Sequence, residues 1–231
     1  MRIIKPSFVF EDEFDGEKIL KNLERFGRTC YKSEDKITSD SARKFVAGIM
    51  KSGHESVIEH EKVTVRIICD RGVTHEIVRH RIASYSQEST RYCNYCKDKF
   101  GSGITFIEPF FFNREAPRKT IPVPTLNNWL ISENKEINEF DIWLMVMAVT
   151  EWGYATLIED FGRSPQEARS VLPNSLKTEI VITFNLREWR HFFRLRVSKK
   201  AHPQMREITI PFLKEFQRRI PIIFDDIVVE D

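Results

Sequence analysis

The sequence predicts an α+β fold, several helices packed around a small, mainly antiparallel sheet, in a single domain over residues 1–231. Three observations predict it. Apolar residues recur at helical spacing in several separate stretches, two β-branched runs alternate as strands do, and no repeat or low-complexity linker divides the chain. Composition agrees. With 41% hydrophobic and 30% charged residues, the chain falls outside the disordered, fibrous and disulfide-scaffold classes. Nine glycines disfavour a phosphate loop of repeated glycines. Thirty-six Lys+Arg against 34 Asp+Glu leave a net charge of +2, so any basic site must come from local clustering.

The elements follow in order. Ile19, Leu20, Leu23 and Phe26 are spaced as one helix face, and a second helix is expected from a Ser39 cap through Phe45, Val46, Ile49 and Met50 to Gly53. Ser56 and Glu59 form an S-x-x-E pattern that predicts a new helix start just after His54. Val63, Thr64, Val65, Ile67 and Ile68 suggest a strand over 62–69, Thr74 is read as the cap of a short helix leading into Arg79, and 104–108 is a further strand. The stretch from Leu126 to Phe161, almost free of Pro and Gly, is read as one long helix or two consecutive ones. Ser164 and Pro165 start the next helix, which ends near Pro173. A strand over 179–184, a basic aromatic helix over 186–196 and a last helix over 203–219 complete the chain.

The first residues break their apolar stretch with charge, unlike a secretory leader, and the greasiest region, 142–149, is far shorter than the roughly 20 residues a bilayer crossing needs. A cytoplasmic protein is expected, with Cys30, Cys69, Cys93 and Cys96 as reduced thiols. Cys93-Asn94-Tyr95-Cys96 lacks the second half of a four-thiolate zinc site, and no proline precedes Cys93 as a zinc deaminase would require, so no metal is expected.

The densest chemistry lies in Arg79-His80-Arg81 followed by Ser84, Ser86, Gln87, Ser89 and Arg91. Guanidinium forks grip phosphate bidentately and hydroxyls add neutral donors, which points to a phosphorylated small molecule. Arg187 and His191, four apart on one helix face, can meet one ligand. Arginines beside aromatics, in Arg91-Tyr92, Trp189-Arg190 and Phe193-Arg194, motivate a second reading, a non-catalytic RNA-binding module. The Phe110-Phe111-Phe112 run cannot face inward throughout on a regular element and is read as an interface or a loop over the site.

The run Arg79-His80-Arg81-Ile82-Ala83-Ser84-Tyr85-Ser86-Gln87-Glu88-Ser89-Thr90-Arg91 resembles the R-H-R-x-x-S-x-N-x-x-S-x-R hallmark of the flavin-dependent thymidylate synthase family, with Ser86 in place of the asparagine. Gly53-His54-Glu55-Ser56-Val57-Ile58-Glu59-His60, Ala168-Arg169-Ser170-Val171-Leu172-Pro173 and Asn185-Leu186-Arg187 with His191, Leu195 and Arg196 resemble further segments of it, in order. The resemblance implies reductive methylation of dUMP to dTMP, with methylenetetrahydrofolate as one-carbon donor, NADPH as reductant, FAD as cofactor and no cysteine nucleophile. It also implies a homotetramer with shared active sites, and neither a nucleic acid nor a membrane as partner. By the same resemblance Arg196 promotes ionisation of the uracil ring. Ser56, Glu59, Arg79, His80, Arg81, Asn185, Arg187 and His191 are candidates for FAD. Glu76, Arg79, Gln87, Glu88, Ser89, Thr90, Arg91, Arg169 and Arg196 are candidates for dUMP, with Arg91 and Arg169 as phosphate clamps and Glu76 standing where many relatives have glutamine.

Overall fold

The computed structural model describes residues 1–97, 99, 101, 103–125 and 128–230. Two short strands, β1 (Arg2–Ile4) and β2 (Ser7–Phe10), lead into α1 (Gly16–Tyr31), whose Asp15 cap accepts from the backbone N–H groups of Glu17 and Lys18. Helix α2 (Ser41–Lys51) starts after Asp40, not at Ser39. Ser41 instead turns its hydroxyl to the Glu24 carboxylate of α1 at 2.8 Å. The S-x-x-E pattern does not open an α-helix either: 55–60 is a 3₁₀ helix after His54, with no side-chain cap bond. Strand β3 (Lys62–Asp70) runs directly into α3 (Arg71–Ile77), so the cap of α3 is Asp70, accepting from Val73 N–H at 2.9 Å. Thr74 lies one turn inside and donates to the Arg71 carbonyl.

Strands β4 (Ser84–Gln87) and β5 (Thr105–Ile107) follow, then β6 (Lys119–Thr125) and β7 (Asn128–Ile137), paired antiparallel. The long helix read from 126 is therefore corrected: 128–137 is strand, and α4 (Glu139–Glu159) begins only after Asn138, which closes a capping box with Asp141. Leu126 itself lies outside the described residues. Ser164 and Glu167 form the capping box of α5 (Pro165–Ala168), with proline in its first turn. Strand β8 (Lys177–Asn185), α6 (Leu186–Arg196), α7 (Pro203–Arg219) and the short α8 (Pro221–Phe224) end the chain.

The chain forms two compact units. The sheet unit, residues 6–88 and 178–231, holds the sheet β2-β3-β8-β4, with β2 antiparallel to β3 and β4 antiparallel to β8. One face of β8 is wholly buried because its side chains alternate Thr178, Ile180, Ile182, Phe184. Onto it pack Trp189, Phe192 and Phe193 of α6 and Phe212 and Phe216 of α7, all fully buried. Most of their rings meet edge-on or tilted, Phe184 and Trp189 at 4.5 Å, while Trp189 and Phe193 stack at 5.7 Å. The Trp189 indole donates to the Val63 carbonyl at 3.1 Å, which fixes the rotation of α6 against β3. The hairpin unit, residues 1–5 and 89–177, pairs β1 parallel to β5 and builds its own core from Phe106, Leu176, Tyr95 and the Phe140, Trp143, Met147, Tyr154 side of α4.

Candidate functional site

Helix α6 orders the centre of the site. Asn185 caps it, its side chain accepting from the Glu188 N–H at 2.8 Å, and eleven residues later Arg196 ends it. The Arg196 side chain, 18% exposed, uses all three nitrogens. Nε donates to His80 Nε2 at 3.1 Å, one terminal nitrogen to the Glu76 carboxylate at 2.7 Å, and the other to the Glu76 carbonyl at 3.0 Å. A guanidinium N–H can only donate, so His80 Nε2 must accept and the ring proton sits on Nδ1. That nitrogen lies 3.1 Å from a Glu188 carboxylate oxygen, to which it donates. Burial, then the Arg196 and His191 charges, lower the His80 pKa to about 4, so the ring is neutral near pH 7. Burial raises the Glu188 carboxyl above the usual range.

His80, Glu188 and His191 bring ligand-type atoms within 4.8 Å of one another. Both His80 nitrogens are committed to hydrogen bonds, one with Glu188 and one with Arg196, so this ring has no lone pair left for a cation. The Arg79-His80-Arg81 turn is fastened from β4: the Tyr85 hydroxyl lies 2.8 Å from the Ile77 carbonyl and 2.6 Å from that of His80. His80 is thereby turned inward while Arg79 and Arg81 are exposed, with no ion pair among the described residues.

Beside this cluster, within the sheet unit, lies a cavity of about 540 Å³. Asn185, Arg187, Glu188, His191 and Arg194 of the α6 segment line it, with Glu55 and Glu59 from the 3₁₀ helix and Ile82. Arg187 pairs with Glu59 at 2.6 Å, and the two hold one wall together. Of the residues assigned to a cofactor from sequence, Glu59, Asn185, Arg187 and His191 line this cavity; Ser56 lies exposed on the same 3₁₀ helix. Glu55, Ile82, Glu188 and Arg194 also line it but were not assigned to the cofactor from sequence. The signal for Glu188 was the N-x-x-E spacing after Asn185, which marks a helix start but not the inward turn of its carboxylate.

The residues assigned to a substrate divide between the units. In the sheet unit, Gln87 donates its amide to Thr74 and Thr178 at 3.0 and 3.3 Å, Ser86 is exposed on β4, and the Glu88 N–H bonds the Glu179 carbonyl. In the hairpin unit, buried Thr90 accepts from exposed Arg169 at 3.4 Å, Ser89 Oγ accepts from the Arg91 N–H at 3.3 Å, and the Arg91 guanidinium lies 5.4 Å from the Tyr92 ring.

Trp189 and Phe193 are fully buried, which removes the stacking surface that an RNA-binding reading needs from α6. Among the described residues no helix is long and apolar enough to cross a membrane.

Comparison with known proteins adds three findings. The family model described as "Thymidylate synthase complementing protein" matches residues 17–222. The chain is 33% identical, over 84% of its length and 70% of the relative's, to a flavin-dependent thymidylate synthase of Pyrococcus furiosus, and 31% identical, over 90% and 79%, to one of Corynebacterium glutamicum. Among solved structures it is similar to thymidylate synthase X of Helicobacter pylori with FAD and dUMP, with TM-score 0.71 and 19% identity over 97% of this chain and all of that one. It is also similar to the UMP/dUMP methylase PolB of Streptomyces cacaoi bound with 5-Br dUMP, with TM-score 0.70 and 21% identity over 97% and 96%.

Proposed function

The chain belongs to the flavin-dependent thymidylate synthase family, and from that membership we propose that it methylates dUMP to dTMP, using methylenetetrahydrofolate as one-carbon donor, NADPH as reductant and FAD as cofactor. One observation carries the reading: Glu188 belongs both to the wall of a cavity of ligand size and to the buried hydrogen-bond cluster that holds Arg196. The cavity suits the flavin cofactor by size and by donor set. Arg187 and Arg194 match a diphosphate, the carboxylates of Glu55 and Glu59 can accept from hydroxyls, and Asn185 and His191 add further polar groups. Ser56, Arg79, His80 and Arg81 are assigned to the same cofactor by the family motif. When bound, FAD supplies the electrons that NADPH donates for reduction of the transferred carbon.

Arg91 and Arg169, exposed guanidinium groups, clamp the 5′-phosphate, and Ser89 and Thr90 add hydroxyls. Glu76, Arg79, Gln87 and Glu88 are assigned to the remainder of the nucleotide. Carbon 5 of uracil is a weak nucleophile that becomes electron-rich when N3 loses its proton. Arg196 holds that anion by charge, since a guanidinium does not deprotonate. Of its five N–H groups three are committed, which leaves one on each terminal nitrogen for the ring. A cysteine nucleophile needs an accessible thiol of lowered pKa. Burial pushes the Cys69 thiol well up, and burial with Glu159 raises Cys96, which supports chemistry without protein thiolate attack.

We extend the reading to a homotetramer in the cytoplasm, with active sites shared between subunits. Ile142, Met145, Val146, Val149 and Trp152 form an exposed apolar stripe along α4, and Phe110 and Phe111 are exposed on the same unit, surface of the kind a subunit contact covers. The test is tritium release from dUMP labelled at carbon 5. Release that requires FAD, NADPH and methylenetetrahydrofolate together is expected; protein that releases none after flavin loading overturns the assignment.

A further inference from the structure

Glu188 and Arg196 stand eight residues apart on α6, about 12 Å along its axis, too far for a carboxylate and a guanidinium to meet directly. The His80 imidazole fills that gap, with Nδ1 3.1 Å from Glu188 and Nε2 3.1 Å from Arg196 Nε. Resting on the reaction assigned above, the geometry points to Glu188 and His80 as positioning residues: the Glu188 carboxylate selects the Nδ1–H tautomer of His80, whose Nε2 then fixes the plane in which Arg196 presents its two uncommitted N–H groups to the uracil ring.

The alternative tautomer fails on hydrogen-bond arithmetic. A proton on Nε2 would face the Arg196 Nε–H, donor against donor, and would leave the Glu188 carboxylate opposite a bare lone pair. Two bonds of the buried imidazole would be lost together. Packing reinforces the choice. Phe192 meets the imidazole edge-on at 5.0 Å and Phe184 tilts against it at 6.1 Å, so the ring cannot turn to exchange its partners. Glu76 holds the far side of the guanidinium by side chain and carbonyl, and His80 supplies the third point that defines a plane.

Two measurements on the flavin-loaded protein test this. The first reads ¹⁵N shifts of the His80 imidazole in the parent and in Glu188→Ala. Protonated Nδ1 with bare Nε2 in the parent, changing to a mixture in the variant, is the expected result; a parent with protonated Nε2 overturns the proposal whatever reaction the protein performs. The second reads steady-state methylation. Glu188→Ala is expected to lower kcat by about 10- to 100-fold, since misaligning a reacting group by an ångström has that cost, while KM for dUMP moves less than threefold and flavin absorbance is kept. Glu188→Gln, whose amide oxygen can still accept from Nδ1–H, is expected to recover most of the lost turnover. Unchanged kcat in Glu188→Ala, or loss of flavin in step with turnover, overturns the positioning role. A parent that releases no tritium sinks the assigned reaction instead, and the ¹⁵N shifts then decide the tautomer by themselves.

Discussion

Arg196 is committed at three nitrogens to groups that do not move with the substrate, so its loss removes charge stabilisation without emptying the cavity along α6. Arg196→Ala is expected to keep its flavin absorbance and to lose about 100- to 1000-fold in kcat, the usual effect of deleting one oriented donor at a developing anion. Turnover within threefold of the parent would remove Arg196 from the reaction. The neighbouring imidazole predicts a pH effect. His80 is neutral down to about pH 4 in the folded protein, against the ordinary 6.5 once unfolded. The unfolded chain therefore binds the extra proton between those values, so stability rises with pH through this window and is lost as pH falls from 6.5 to 4, by at most about 3 kcal/mol from this group. Thermal unfolding of the parent and of His80→Asn at both pH values reads it; equal pH slopes would refute the assignment. At this scale the sequence displayed the arginine and hydroxyl-rich run plainly. It gave no sign that His80 turns inward or that Glu188 meets it, because that bond joins residues 108 apart, through a turn whose direction Tyr85 sets.

Helices α6 and α7 have the boundaries read from sequence, since capping and amphipathic spacing are local signals that a dozen residues contain. Of the short strands, β5 was read over 104–108, but β1, β2 and β4 were not legible. β1 holds three residues and finds its partner in β5, about a hundred positions on, and β2 and β4 hold four each. The stretch before α4 misled for another reason: scarcity of Pro and Gly permits a helix without demanding one, and 128–137 pairs antiparallel with 119–125 instead. The real start of α4 is Asn138, whose side chain accepts from Asp141 N–H and donates to the carbonyls of Arg114 and Ala116. Asn138→Ala is expected to cost about 1–2 kcal/mol in urea unfolding, as loss of a helix cap does. Gly16, at the head of α1, has the Arg219 carbonyl 2.0 Å from where a Cβ would stand. Gly16→Ala should destabilise by roughly 1–3 kcal/mol through overpacking, and an unchanged urea midpoint would show that α1 can shift freely.

For the whole molecule, α4 is apolar on two sides: one buries Phe140, Trp143, Met147 and Tyr154, and the other exposes Ile142, Met145, Val146, Val149 and Trp152. A charge in that second stripe, Val146→Asp, is expected to lower the molar mass measured by light scattering. A parent that already runs as a monomer would withdraw the proposed tetramer. The interleaved chain path has a further consequence. Because residues 6–88 and 178–231 together make one unit, while 1–5 and 89–177 make the other, neither can be cut out of the gene as one piece. A fragment ending at Glu88 would hold β3 and β4 with their shared neighbour β8 missing, and so expose two bare strand edges to aggregation. A deletion that separates β8 from β3 and β4 would therefore report insolubility and not the loss of an activity, and point substitutions are the safer way to assign activity to parts of this protein.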